Sequence, residues 1–288
     1  MSPGPVLVRH RRDLPSALAG AHHRRGVVMT MGALHEGHLA LVRRAREVAD
    51  QVVVTIFVNP LQFGPGEDFD AYPRDLDRDL ELLAAAGVDL VFAPDPAELY
   101  PDGEPVVRVS AGRIGQRLEG AQRAGHFDGV LTVVLKLCHL LGPDVVLFGQ
   151  KDAQQLMLVR KMVADLDLAV EVLAVETVRE PGGLALSSRN EYLSKEELTT
   201  ARALYQALLA ARAAVADGAG GVGARAAAAR VLDAAPLAVD YLALVDPTTA
   251  EDLAAGHQGS ALLAVAARVG TTRLIDNLLL ELTGEQDR

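Results

Sequence analysis

The chain has 288 residues, 50% of them hydrophobic and 23% charged, enough to bury one large or two smaller cores, which excludes intrinsic disorder as its main state. Its 28 basic side chains against 38 acidic ones leave a formal net charge of −10, which argues against a broad nucleic-acid surface, so any anionic ligand must meet a local positive site. A single cysteine, Cys138, excludes an intrachain disulfide and multi-cysteine metal sites and suits a reducing compartment, so a cytoplasmic location is expected.

The opening stretch MSPGPVLVRHRR has two prolines and a basic run but no apolar segment of signal-peptide length. The longest apolar runs, Gln51 to Val58 and Asp144 to Phe148, fall far short of the roughly 20 residues of a membrane span, so a soluble protein without a membrane partner is expected. In chain order, Gly26 to Thr30, Val52 to Val58, Asp89 to Ala93, Asp144 to Phe148 and Val170 to Val175 read as short β-rich runs with apolar residues on both faces. That pattern marks buried parallel strands. Helical stretches lie between them at His38 to Asp50, Asp75 to Ala86, Gly129 to Leu141 and Ala153 to Leu166. The alternation predicts an α/β fold with a doubly wound parallel, Rossmann-like sheet over residues 1–177, with ligands bound beyond the carboxyl ends of its strands.

From residue 178 the pattern changes. Ala- and Arg-rich helices are expected at Ala201 to Ala216 and Gly223 to Ala234, followed by apolar runs at Val239 to Val245, Ser260 to Val269 and Thr272 to Ile275. This predicts a second, smaller α+β domain over 178–288 that covers the site.

Four strand-following loops carry chemistry. The first, Thr30-Met31-Gly32-Ala33-Leu34-His35-Glu36-Gly37-His38, runs into an amphipathic helix. A helix N-terminus favours an anion, Gly37 permits close backbone approach, and the imidazoles can donate hydrogen bonds, so the loop outlines a phosphate site. A metal pair is the rival, but histidines at i and i+3 without a third ligand do not match zincin spacing. The second loop, Phe57-Val58-Asn59-Pro60-Leu61-Gln62-Phe63-Gly64, has turn formers in Asn59 and Pro60, whereas the amide of Gln62 suits a small polar acid as well as a solvated turn.

The third loop, Phe148-Gly149-Gln150-Lys151-Asp152-Ala153-Gln154-Gln155, offers Lys151 to phosphate and Asp152 to ribose hydroxyls, with helix capping by Asp152 as the plain alternative. The fourth, Leu186-Ser187-Ser188-Arg189-Asn190, sets two hydroxyls beside a guanidinium, a pairing suited to a leaving phosphate and equally common in polar loops. Arg123 and His126 add a basic pair ahead of a helix. Cys138, within VVLKLCHLL, reads as core packing, and His10, His22, His23, His139 and His257 read as structural or surface residues.

Together the loops resemble the pantothenate synthetase (pantoate-β-alanine ligase) family of the nucleotidyltransferase superfamily, related in fold to class I aminoacyl-tRNA synthetases. TMGALHEGH is similar to the family's HxGH signature, FVNPLQF to its substrate loop, GQKDAQQ to its lysine loop and LSSRN to its counterpart of the KMSKS loop, all in family order. AYPR at Ala71 to Arg74 and RAGHFDGV also match, although Ala124 stands where many relatives have proline.

The resemblance implies a two-step reaction in which pantoate attacks the α-phosphorus of ATP and β-alanine then displaces AMP. It implies residues 31–38 as the ATP loop, with His38 catalytic and His35 its companion on the phosphates. Gln62 would touch pantoate and β-alanine, Gly149 to Asp152 would hold ATP, and Gln155 would hold pantoate. Val178 would meet the adenine through its backbone, and Leu186 to Arg189 would meet the phosphates. Asn59, Arg123 and His126 are further substrate-binding candidates. Mg²⁺ would accompany ATP, held largely by phosphate oxygens, and a homodimer is implied. A second nucleotidyltransferase chemistry or a non-catalytic nucleotide sensor are the alternatives, separated by product analysis.

Overall fold

The computed structural model describes residues 4–20, 23–67 and 69–283, so His22 lies outside the described residues. These divide into two compact units, one reaching to Gly149 and including Leu158–Glu176, the other made of Gln150–Met157 and the chain from Thr177 onward.

The first unit is built on β1 (Val6–Val8), α1 (Leu14–Ala17), β2 (Arg25–Thr30), α2 (Glu36–Val48), β3 (Gln51–Ile56), α3 (Leu76–Ala85), β4 (Leu90–Phe92), α4 (Pro96–Leu99), α5 (Leu118–Gln122), α6 (His126–Leu141), β5 (Val145–Gly149) and β6 (Glu171–Val175). Between the last two, α7 spans Ala153–Asp165. The six strands pair in the order β1-β4-β3-β2-β5-β6 and every pairing is parallel. Val27, Val28, Val52, Val53, Val54, Val145 and Val146 are fully buried, as a sheet covered on both faces requires.

From β2 the chain moves outward through β3 to β4, then returns to the opposite side of β2 as β5. The strand order therefore reverses at β2, and the loops leaving β2 and β5 are those the topology reserves for a ligand. Strand β1 was not expected from the sequence. Its VLV run is too short to stand out, and with Val6 and Leu7 exposed it is held as an edge by pairing with β4.

Helix α6 starts at His126, three residues earlier than expected. The preceding turn closes on Gly125 at φ +77°, which frees His126 to Asp128 for the first helical turn. Gly129 is thus inside the helix, where it lets α6 approach the Pro60–Gln62 turn. A Cβ at this position would lie 2.1 Å from the Leu61 carbonyl oxygen.

The second unit carries α8 (Lys195–Ala216), α9 (Gly221–Asp233) and an antiparallel sheet of β7 (Ala238–Val245), β8 (Gly259–Val269) and β9 (Thr272–Leu282) in that order. Ala201, Ala207, Ala211, Ala224 and Ala228 are fully buried, small enough to bring α8 and α9 together over Leu263, Val265 and Leu280 of the sheet. Helix α8 begins before the expected Ala201 because Ser194 and Glu197 form a reciprocal capping box. Strand β9 runs beyond Ile275 because Asp276 and Asn277, polar residues in an apolar run, are buried with partners of their own.

Replacing Gly129 by alanine forces the Pro60–Gln62 turn away from α6, an overpacking cost of about 1–3 kcal/mol. Thermal unfolding of Gly129→Ala should show a lowered midpoint, and an unchanged midpoint would contradict this close approach.

Candidate active site

In the first unit, the Thr30–His38 loop is fixed from below before it presents anything. Thr30 Oγ1 donates to the Thr55 carbonyl at 2.7 Å and accepts from Gly32 N–H at 3.2 Å. Gly32 at φ +84° and Ala33 at φ +50° then turn the backbone sharply. An alanine in the left-handed region is strained and persists only where its surroundings hold it. Asp79 of α3 supplies that hold: its carboxylate accepts from Ala33 N–H at 3.0 Å and Leu34 N–H at 2.8 Å. Only 1% of Asp79 is exposed, so burial pushes its carboxyl up from the usual range against the lowering effect of those two hydrogen bonds.

The loop delivers both histidines to the start of α2. His35 is the N-cap, its Nδ1 accepting from Gly37 N–H at 3.1 Å, while His38 Nδ1 accepts from His35 N–H at 3.3 Å. The rings lie 4.1 Å apart. With both Nδ1 atoms accepting, the ring hydrogen sits on Nε2, so each imidazole is oriented as a donor. The Gly37 N–H offered to an anion by the sequence is donated to His35 here. The Glu36 carboxylate pairs with Arg43 along the helix, so residue 36 adds backbone rather than charge to the loop.

Three side chains set the amide of Gln62: Tyr100, Asn59 and Met31. Tyr100, its phenol pushed up by burial, donates to Asn59 Oδ1 at 2.9 Å. Asn59, 1% exposed, donates from Nδ2 to the Gly129 carbonyl and to Gln62 Oε1, each at 3.1 Å. A carbonyl can only accept, so the Asn59 amide has one orientation, and Gln62 Nε2 is turned to the Met31 thioether at 3.1 Å. Sulfur is a weak acceptor that a carboxylate or hydroxyl oxygen readily replaces.

Arg123 and His126 hold the same loop by its backbone. Arg123 grips Glu67 through two bonds of 2.9 and 2.6 Å and reaches the Gln62 carbonyl at 3.3 Å, and its hydrogen bonds keep the Glu67 carboxyl below the usual range. A guanidinium only donates, so His126 Nε2, 3.0 Å from it, accepts, and Nδ1–H donates to the Gln62 carbonyl at 2.8 Å. Burial, then the neighbouring Arg123 charge, push the His126 imidazole down to about 4.

In the second unit, Gln150 to Asp152 form a tight helical turn ahead of α7. Lys151 Nζ lies 3.5 Å from Asp152 Oδ1 and is mostly shielded from solvent, so its charge is held beside that carboxylate. The Gln150 and Lys151 carbonyls both accept from Asn277 Nδ2, at 2.9 and 2.8 Å. Gln155 lies partly exposed in the first turn of α7.

Val178 and Leu186 face each other across a small hairpin, Leu186 N–H donating to the Val178 carbonyl at 3.0 Å, with an antiparallel bridge between Arg179 and Ala185. Ser187 caps the turn that follows by accepting from Arg189 N–H at 3.3 Å, which presents Ser188 and Arg189 side by side. Within each unit, then, the expected residues are gathered: His35 with His38 and Met31 with Gln62 in the first, Val178 with Leu186 and Ser187 with Arg189 in the second.

Four buried polar residues were missed from the sequence: Asp79, Tyr100, Asp276 and Asn277. Asp79 sits among the apolar Leu76, Leu80 and Leu83 of its helix, and Asp276-Asn277 interrupts an apolar strand. A polar residue on a core-facing position was the available signal. Tyr100 had none, because a buried tyrosine reads as packing. Cys138 behaves as core, its thiol pushed up to about 11 by burial. Among the described residues no group of three or more His, Cys, Asp or Glu is arranged to hold a metal ion.

Two outcomes follow from this geometry. An unfolded imidazole titrates near ~6.5, so the His126 contribution to stability is complete above that pH and is lost as pH falls toward 4. Nitrogen-detected NMR should find the Nδ1–H tautomer of His126 intact at pH 5.5, and a charged ring there would contradict it. In Asp79→Asn one backbone donor faces an amide NH₂, so Ala33 and Leu34 amide hydrogens should exchange about tenfold faster or more, whereas unchanged protection would remove Asp79 as the anchor.

The family model described as pantoate-beta-alanine ligase matches residues 7–279. A curated pantothenate synthetase of Salinispora arenicola is 56% identical over 96% of this chain and 98% of its own length. Among solved structures, pantothenate synthetase from Thermus thermophilus superposes with a TM-score of 0.90 at 50% identity, covering 95% of this chain and 98% of that one. A pantoate-beta-alanine ligase from Francisella tularensis, complexed with beta-gamma ATP and beta-alanine, superposes with a TM-score of 0.77 at 32% identity over 96% of this chain and 97% of that one. With the loops, the sheet topology and these likenesses in agreement, the chain belongs to the pantoate-beta-alanine ligase family.

Proposed function

We propose that the protein ligates pantoate and β-alanine at the expense of ATP, giving pantothenate, AMP and pyrophosphate. The observation that carries this is the oriented Gln62 amide, turned by Asn59 onto the Met31 thioether of the HxGH loop, a fixed N–H donor for an organic acid beside a nucleotide loop. Family membership over residues 7–279 supports the same assignment.

In the first step a carboxylate oxygen of pantoate attacks the α-phosphorus, the bond to the bridging oxygen breaks, and pyrophosphate leaves. Pantoyl adenylate remains. In the second step the free amine of β-alanine attacks the acyl carbon, the bond to AMP breaks, and the amine loses its proton. No side chain becomes covalently attached.

The work assigned to the protein is positioning and charge compensation. His35 and His38 donate from Nε2 to phosphate oxygens, Lys151 and Arg189 offset the triphosphate charge, and Ser187 and Ser188 donate hydroxyl hydrogens to the departing group. Gln62 and Gln155 hold pantoate, and Asn59 acts by orienting Gln62. Arg123 and His126 act through the backbone of that loop, and Val178 offers backbone to the adenine. Magnesium enters with ATP as part of the substrate, carried by phosphate oxygens. A cytoplasmic homodimer suits a buried lone Cys138 and the apolar pair Val106 and Val107, which are 99% and 86% exposed on one copy.

Incubation with MgATP, pantoate and β-alanine, each omitted in turn, should give pantothenate and AMP only when all are present. Pyrophosphate exchange into ATP should need pantoate and not β-alanine. His38→Ala should keep the fold and lose about 10²-fold or more in that exchange, as removal of one transition-state donor does elsewhere. Exchange independent of pantoate, or an unimpaired His38→Ala, would refute the assignment. Gln62→Ala should weaken pantoate binding more than ATP binding, and calorimetry showing the reverse would reassign that amide.

A further inference from the structure

Strand β9 interrupts an apolar run with two buried polar residues, Asp276 at 3% and Asn277 at 6% exposure. As neighbours on a strand they face opposite sides of the sheet. Asp276 shares its side with Leu274, Leu280 and Leu282, which pack against α8 and α9. There it takes both arms of the Arg179 guanidinium at 2.6 and 2.9 Å, and that guanidinium also donates to the Gly183 carbonyl and lies 3.9 Å over the Tyr205 ring. Arg179 belongs to the hairpin whose returning arm continues into Ser187, Ser188 and Arg189. On the other side, Asn277 donates from Nδ2 to two consecutive carbonyls of the lysine loop, those of Gln150 and Lys151.

The oxygen of the Asn277 amide has no partner among the described residues. A buried carbonyl left unsatisfied is destabilising relative to an apolar side chain such as leucine, so burial alone gives no reason for an amide at this position. What leucine lacks is the pair of hydrogen bonds to the loop.

We propose that Asp276 and Asn277 are the positioning pair for the two phosphate loops of the second unit. Asn277 fixes the backbone that carries Lys151, and Asp276, through Arg179, fixes the hairpin that delivers Ser187 to Arg189. One strand thereby sets both loops in a common frame, and neither residue touches a reacting atom. The inference rests on the assignment of Lys151 and Arg189 to ATP.

The test is a double-mutant cycle. Asn277→Leu, which keeps the branched shape without the polar atoms, and Asn277→Ala, which adds no bulk, are each made in the natural chain and in Lys151→Ala. Pantoate-dependent ATP–pyrophosphate exchange and backbone hydrogen exchange over residues 149–155 are measured. With Lys151 present, kcat/KM for ATP should fall about tenfold or more, while pantoate Kd stays within about twofold. In the Lys151→Ala background the same substitution should cost less than about twofold, because its effect passes through the lysine. Hydrogen exchange should quicken over residues 149–155 and not in α9. A tenfold loss that persists without Lys151 would mean a general structural role and overturn the proposal, as would full activity in both variants. A natural chain inert in exchange would instead sink the ligase assignment, and hydrogen exchange then decides whether Asn277 anchors the loop.

Discussion

A carboxylate and a triphosphate repel each other, and the proposed chemistry has to answer that repulsion. Joining them requires donors already aimed at the phosphate oxygens before the acid arrives, because donors that must reorganise during the reaction forfeit much of their stabilisation. The chain as a whole carries a net charge of −10, which makes the compensation a local matter. It is assigned to a few groups on short loops: His35, His38, Lys151, Ser187, Ser188 and Arg189.

Loops are the least constrained parts of a fold, and here buried side chains bond directly to their backbone. Asp79 receives two successive N–H groups of the HxGH loop, Asn277 donates to two successive carbonyls of the lysine loop, and His126 with Arg123 takes the carbonyl of Gln62. Asp79 and Asn277 are buried and stand on a helix and a strand, and the half-buried His126 stands at a helix start. The strained Ala33 is tolerated for the same reason, since the buried carboxylate of Asp79 over-determines its conformation. Rigid elements thus fix the loops, and the loops fix the donors.

The sheet was legible from its valine-rich runs because burial on both faces leaves a continuous apolar signal, and the strand order then marks the loops worth searching. Groups that meet substrate in the proposed mechanism stood out because histidine, lysine and glutamine have no packing reason to follow a buried strand. Asp79 and Asn277 did not, because each lies far along the chain from what it holds: Asp79 is 46 residues from Ala33, and Asn277 is 126 from Lys151. Sequence spacing carries no record of such pairings. Element starts were misjudged where a local device overrides hydrophobic periodicity, as with the Ser194–Glu197 box and the left-handed Gly125.

The central claim is that pantoate oxygen attacks the α-phosphorus and no other. Pantoate labelled with ¹⁸O in its carboxylate, turned over with ATP and β-alanine, tests it directly by mass spectrometry of the products. One labelled oxygen should appear in the phosphoryl group of AMP and none in pyrophosphate. Label in inorganic phosphate with formation of ADP would mean attack at the γ-phosphorus, and the donors assigned here would then surround the wrong atom.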